Sequence, residues 1–202
     1  IRSRRQRQMC IRDSFISFLA PGLISMQVIQ QSFSHSSSSF MIGKIQGNIV
    51  DLLYAPLSAA EVTIAVSLAS VTRAVMIAII SIITFMLIIE IQITNYLALI
   101  AFTFLSSFIL GNVGIIAGLW SEKFDNMATV TNFVIIPLSF LSGTFYSIER
   151  LPGLLKTISE FNPFFYMIDG FRYSFIGQAD GSITVGLVYL TILSLVSWFI
   201  TC

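Results

Sequence analysis

The chain has 202 residues, of which 55% are hydrophobic and only 10% charged, whereas an ordinary soluble domain carries roughly 25% charge. A water-soluble fold of this length has no means of hiding so much apolar surface, and the apolar residues come in blocks of about 20 or more, the length that crosses a hydrocarbon core of roughly 30 Å. The net charge of +1 hides an uneven distribution: Arg2, Arg4, Arg5, Arg7 and Arg12 crowd the start, while beyond Ser14 six basic residues face nine acidic ones, so no nucleic-acid partner is implied.

In chain order, the opening IRSRRQRQMCIRDS has no apolar period and resembles translated adapter sequence, so residues 1–14 are expected to be non-native and are set aside from the fold; the alternative is a genuine basic juxtamembrane arm. A first span is expected from about Phe15 to Phe33. After it, MIGKIQGNIVDLLYAP is too polar to cross a bilayer but has a helical period. At about 100° per residue Ile42, Ile45, Ile49, Leu52 and Leu53 share one arc, and Lys44, Asn48 and Asp51 fall opposite. That pattern predicts an amphipathic helix over about 41–56, lying along the membrane surface or against a partner, with Pro56 at its end.

A second span is expected from about Val62 to Ile89, a third from Tyr96 to Trp120 and a fourth from Met127 to Ile148. Within the third, Ser107/Gly111 and Gly114/Gly118 have the four-residue spacing that brings small residues onto one face for close helix packing. Their apolar flanks argue against a ligand-binding glycine loop. Next, Leu151, Leu154, Leu155, Ile158 and Phe161, opened by Pro152, predict a second interfacial helix. It leads into FNPFFYMIDGFRYSF, whose aromatic rings suit headgroup depth. The fifth span fills Ile183 to Cys202. The fold class is therefore all-α, a polytopic helical membrane protein.

Several chemistries are missing from the sequence. The phosphate loop G-x-x-x-x-G-K-[ST] is absent, since Gly43-Lys44 is followed by Ile45 and has no glycine five residues before it. His35, the only histidine, stands in the serine run Ser34 to Ser39 without a neighbouring Cys, Asp or Glu, which marks a polar boundary position rather than a metal or catalytic group. Asp51, Asp125, Asp169 and Asp180 are read as lying in polar connections, so no aspartate pair falls inside a span. Cys10 and Cys202 support no disulfide or metal framework. Arg73 is the charge well inside an apolar block, and an arginine in hydrocarbon needs a reason. Snorkelling or helix pairing is the plainer reading, and a place on a substrate path the alternative.

Three stretches resemble one family. FLAPGLISMQVIQQSFSHSSSSFMIGKIQGNIVDLLYAPLSAAE resembles the second span and cytoplasmic coupling helix of type-2 ABC transporter permeases, in the bacterial branch of polysaccharide, nodulation-factor and drug exporters. PLSFLSGTFYSIERLP resembles that family's fifth span and outer turn, and NPFFYMIDGFRYSFIG its outer segment before the last span.

The resemblance implies a type-2 transmembrane domain over 15–202 in the bacterial inner membrane, with an outer interfacial segment at about 149–175 that includes Pro152, Asn162, Pro163, Tyr166 and Arg172. It also implies six spans, of which five are read here, so the chain is expected to be a fragment. This chain is expected to bind no cofactor and to be no enzyme itself; ATP and Mg would sit on a separate nucleotide-binding ATPase subunit. A second permease subunit and the lipid bilayer complete the implied partners. Lys44, Ile45, Asn48, Ile49, Asp51, Leu52 and Pro56 match the coupling helix, with Lys44 and Asp51 toward the ATPase. That topology puts Lys44 and Lys123 inside and Arg150, Lys156 and Arg172 outside, so loop charge does not support it and it rests on the resemblance. The implied function is export of a lipid-linked, glycan or amphiphilic small molecule. A non-transporting membrane scaffold is the alternative; an ion-coupled secondary transporter is a weaker one, since repeated halves and midplane polar groups are not evident.

Overall fold

The structure, a computed structural model, describes residues 2–54, 56–88, 93–144, 161–177 and 179–202, with the side chains of 2–17 and 51–53 outside the description. The described residues form helices α1 (Arg2–Gln46), α2 (Ile49–Tyr54), α3 (Ala59–Ile88), α4 (Tyr96–Trp120) and α5 (Phe124–Val130). A π-helical turn (Thr131–Ile135) joins α5 to α6 (Ile136–Leu141), and α7 (Pro163–Ile176) and α8 (Ile183–Thr201) follow. No strand occurs among the described residues.

Among the described residues four stretches are long and apolar enough to cross a membrane: α3, α4, the continuous α5 to α6 segment Phe124–Leu141, and α8. The expected first span lies inside α1, whose glutamines and serines set it apart in composition. α1 does not stop near Phe33, because the serine run bonds back onto its own helix. Ser32 Oγ donates to Val28 O at 2.6 Å and Ser37 Oγ to Phe33 O at 2.8 Å, so the polar side chains leave the backbone ladder intact. At about 1.5 Å per residue α1 is roughly 68 Å long.

Helix starts are set by local chemistry. Ser58 and Glu61 make a capping box before α3, with Ser58 N donating to Glu61 Oε2 at 2.8 Å and Glu61 N to Ser58 Oγ at 3.3 Å. Asn95 caps α4 by accepting from Ala98 N at 3.2 Å. α6 ends at Leu141, where Gly143 takes φ +85° and turns the chain; residues 145–148 of the expected fourth span lie outside the described residues.

α4 is the central helix. It packs on α1, α3, α7 and α8, and its most apolar stretch is 56% buried, against 17% for α3 and 22% for α8. Phe33, Phe102, Ile109, Leu110, Ile168 and Leu190 fill the space around it. The outer faces of α3 and α8 expose Met76, Ile80, Leu87, Ile192, Leu195 and Phe199, a surface suited to lipid rather than water.

Candidate functional site

The helix predicted over 41–56 is two helices meeting at a corner. Gly47 takes φ +76°, a conformation that L side chains adopt only with strain, and with Asn48 it forms a turn between α1 and α2. Lys44 and Ile45 therefore belong to the end of α1, Asn48 to the turn, and Ile49, Asp51 and Leu52 to α2; Pro56 follows α2 and is exposed. The single apolar arc does not survive the turn: Ile42 and Ile45 are exposed, as are Val50 and Tyr54. The side chains of Asp51 and Leu52 lie outside the described residues.

Lys44 does something other than reach outward. Its Nζ donates to Gly118 O at 2.9 Å, to Ser121 O at 3.1 Å and to Leu119 O, carbonyls at the C-terminal end of α4. Those carbonyls have no partner inside the helix and carry the negative end of its dipole, so an ammonium there is both a cap and a counter-charge. The corner is thus tied to the central helix. A pocket of about 250 Å³ sits beside it, lined by Ser39, Phe40, Gly43, Asn48, Ile49 and Val66.

From the corner, small residues run up the α1–α4 contact. A Cβ on Gly118 would lie 2.8 Å from Ser37 O, and one on Gly114 2.6 Å from Phe33 O. Gly111 is covered by the Ser70 hydroxyl of α3, and Ser107 is fully buried. The two backbones approach too closely to admit a Cβ at either glycine without a shift, a contact the small residues allow. These pairings, Phe33 with Gly114 and Ser37 with Gly118, also show that α1 and α4 run parallel.

Asn112 went unremarked in the sequence, yet it is fully buried at the junction of three helices. Ser67 Oγ of α3 donates to Asn112 Oδ1 at 2.8 Å, and Asn112 Nδ2 donates to Ser197 Oγ of α8 at 3.5 Å. An amide in the middle of an apolar span is the available signal.

The aromatic stretch, expected to hold its rings at headgroup depth, packs them inside the protein. α7 is 14 residues long and buries Phe164, Phe165, Met167, Ile168, Phe171 and Phe175 against α1, α4 and α8, with Gly170 pressed on the Phe102 ring. Asn162 caps it, accepting from Phe164 N at 3.1 Å while Nδ2 donates to Ser142 Oγ at 2.7 Å, and Pro163 takes the first helical position. The Tyr166 ring leans on Phe165 and Tyr189. Residues 145–160, including Pro152 and most of the predicted second interfacial helix, lie outside the described residues.

Arg172 is 3% exposed and ties α7 to its surroundings. Nη2 donates to Gly143 O at 2.6 Å, the guanidinium lies 4.0 Å from the Phe18 ring centroid, and Nη1 is 3.7 Å from Asp180 Oδ2. Asp169, expected in a polar connection, is a buried residue of the same helix; its carboxylate accepts from Asp180 N at 2.9 Å and Gly181 N at 3.0 Å. Burial pushes the Asp169 carboxyl up, with these two amides opposing. The network closes the connection between α7 and α8.

Arg73 is the residue whose surroundings best resolve the sequence's ambiguity. α3 runs antiparallel to α4, with Ser67 at Asn112 and Ser70 at Gly111, so Arg73, one turn further, stands level with about Phe108, halfway along α4. That depth is beyond the reach of snorkelling from the start of α3. The pairing is with α1: Arg73 Nη2 donates to Gln31 Oε1 at 3.5 Å.

No group of three or more metal-binding side chains occurs among the described residues. What the geometry does provide is a membrane bundle with a polar seam and a corner at one end. Comparison with known proteins agrees in kind. The profile of the ABC-2 type transporter family matches residues 3–176. The chain is similar to "Inner membrane transport permease YadH" of Escherichia coli (strain K12), 30% identical over 189 residues that cover 94% of this chain and 73% of that protein, and to the protein of the same name in Shigella flexneri at the same figures. It is also similar to "Nodulation protein J" of Rhizobium leguminosarum bv. viciae, 25% identical over 198 residues covering 93% and 73%. The chain belongs to the ABC-2 type transporter family, as a multi-pass transport permease of the inner membrane.

Proposed function

We propose that this chain is the membrane-spanning subunit of an ATP-driven exporter, paired with a second permease subunit and with separate nucleotide-binding subunits that hold ATP and Mg. Its cargo is a lipid-linked, glycan or amphiphilic small molecule. The observation that carries the reading is the α1–α2 corner. Gly47 provides a swivel, Ile45, Val50, Tyr54 and Leu57 are exposed around it, and Lys44 fastens the same point to the end of α4. A push on α2 is transmitted by a single unbroken helix to the α1–α4 contact, where the backbones have no slack. Closure of the nucleotide-binding dimer then favours one arrangement of the permease pair over another, through its differential affinity for the two.

A cysteine placed at the exposed Asn48 tests this. In intact cells it is expected to be shielded from a membrane-impermeant maleimide added outside, to react in inverted vesicles, and to cross-link to the coexpressed nucleotide-binding subunit. Labelling from the periplasmic face alone refutes the assignment.

A further inference from the structure

The guanidinium of Arg73 sits at mid-depth on the exposed face of α3 with little holding it. Its contact with Gln31 is at the outer limit for a hydrogen bond and engages one donor of five. Among the described residues no carboxylate lies within ion-pair distance, although a charge at this depth is among the costliest placements a membrane protein makes. His35 follows Gln31 by one turn of α1 and lies within electrostatic range of Arg73; its Nδ1 is buried without a hydrogen-bond partner among the described residues. Gln31 and His35 of α1 and Arg73 of α3 thus make one polar patch between the two helices. Beside them the surface is apolar: Met76 and Ile80 are exposed on the same face of α3 within two turns of Arg73.

We propose that Arg73, Gln31 and His35 form an intramembrane anion site that takes the phosphate of an anionic amphiphile, with Met76 and Ile80 receiving its hydrocarbon. The planar guanidinium fork matches an oxyanion in two-point geometry, the Gln31 amide and the imidazole add polar contacts beside it, and the apolar rim selects an amphiphile over a free ion. This deepens the exporter reading and rests on it for the step from bound ligand to cargo: the cargo carries negative charge on its head group.

The full-length chain, purified in a neutral detergent, is titrated by calorimetry with dioctanoyl phosphatidic acid, dioctanoyl phosphatidylcholine and inorganic phosphate. The expected result is one phosphatidic acid per chain, weaker binding of phosphatidylcholine and phosphate, and at least a tenfold loss of phosphatidic acid affinity in Arg73→Gln, with Arg73→Lys intermediate. Should Arg73→Gln fail to fold, Arg73→Lys keeps the charge and still loses the fork. Equal affinity in both variants and wild type overturns the site, as does inorganic phosphate binding as tightly as the lipid. Disulfide cross-linking of Arg73→Cys to a second copy also overturns it, by showing that the patch is an interface. The exporter reading is scored separately, by whether the wild-type chain raises ATP hydrolysis of its coexpressed nucleotide-binding subunit. Arg73-dependent binding without that stimulation upholds the anion site and overturns the exporter alone.

Discussion

The close approach of α1 and α4 can be measured by adding one methyl group at a time. In Gly114→Ala the new Cβ falls 2.6 Å from the Phe33 carbonyl oxygen, 3.0 Å from Ser36 Cβ and 3.3 Å from Phe33 Cα. Two of these three atoms are backbone, so relief requires the helices to separate by about 0.8 Å to regain ordinary contact, and such overpacking costs about 1–3 kcal/mol, the upper end being apt where no side chain can yield. Alanine also gains about 1 kcal/mol of helix propensity over glycine. Gly43→Ala isolates that gain, because Gly43 is also helical, in α1, and its Cβ meets nothing within 4 Å. The difference between the two variants therefore cancels propensity and leaves a contact term of about 3 kcal/mol, more than a hundredfold in the folding equilibrium. Gly111→Ala should fall between them, since it meets the Ser70 hydroxyl, a side-chain atom that can rotate away at the cost of its bond to Ser67 O. Unfolding in mixed micelles, followed by far-UV circular dichroism against the mole fraction of dodecyl sulfate, ranks the three. If Gly114→Ala unfolds together with Gly43→Ala, the backbones are not in contact and the transmission argued for α1 loses its basis.

Three further expectations concern the polar contacts. Asn112→Leu removes the hydrogen bonds to Ser67 and Ser197 and leaves Ser197 without its amide partner; a loss of about 1 kcal/mol in the same unfolding assay is expected, in line with interhelical hydrogen bonds in membranes. Asn162→Ala deletes the cap of α7 and the bond to Ser142, and should cost about 1–2 kcal/mol, visible as faster hydrogen exchange at Phe164 and Phe165 by mass spectrometry. Lys44→Met keeps the aliphatic stem but strips the charge from the end of α4, expected to cost up to about 2 kcal/mol and to lower ATP hydrolysis stimulated by the permease in the coexpressed complex, whereas Lys44→Arg restores both.

How much was legible in the sequence differs by element and for physical reasons. The third span, expected at about Tyr96 to Trp120, coincides with α4 because the polar Ser121 ends its apolar run; the Asn95 cap fixes its start in the structure. The small residues at 107, 111, 114 and 118 were equally plain, since a four-residue spacing is a property of one helix alone. The corner was read as continuous because hydrophobic period is blind to a single glycine at positive φ: Ile45 and Ile49 stay in register on a helical wheel whether or not the backbone between them is helical. Lys44 looked like an outward charge because its partners, the carbonyls of 118, 119 and 121, are remote in sequence and are backbone, which no residue pattern advertises.

The aromatic-rich segment shows the same limit with greater consequence. Ring content alone suits an interface belt, but α7 also carries Asp169 and Arg172, and a helix displaying both at a headgroup surface would leave them in water. Their burial is possible only because the turn residues Asp180 and Gly181 fold back to satisfy the carboxylate and Gly143 accepts from the guanidinium. Segments distant in sequence must therefore be in place before α7 can lie inside the bundle, and its rings count as core through long-range polar closure rather than through hydrophobicity. By that reasoning the end near α7 and the end at Gly47 have opposite designs: one side of the bundle is held by charges locked in protein, while the other leaves Ile45, Val50, Tyr54 and Leu57 exposed.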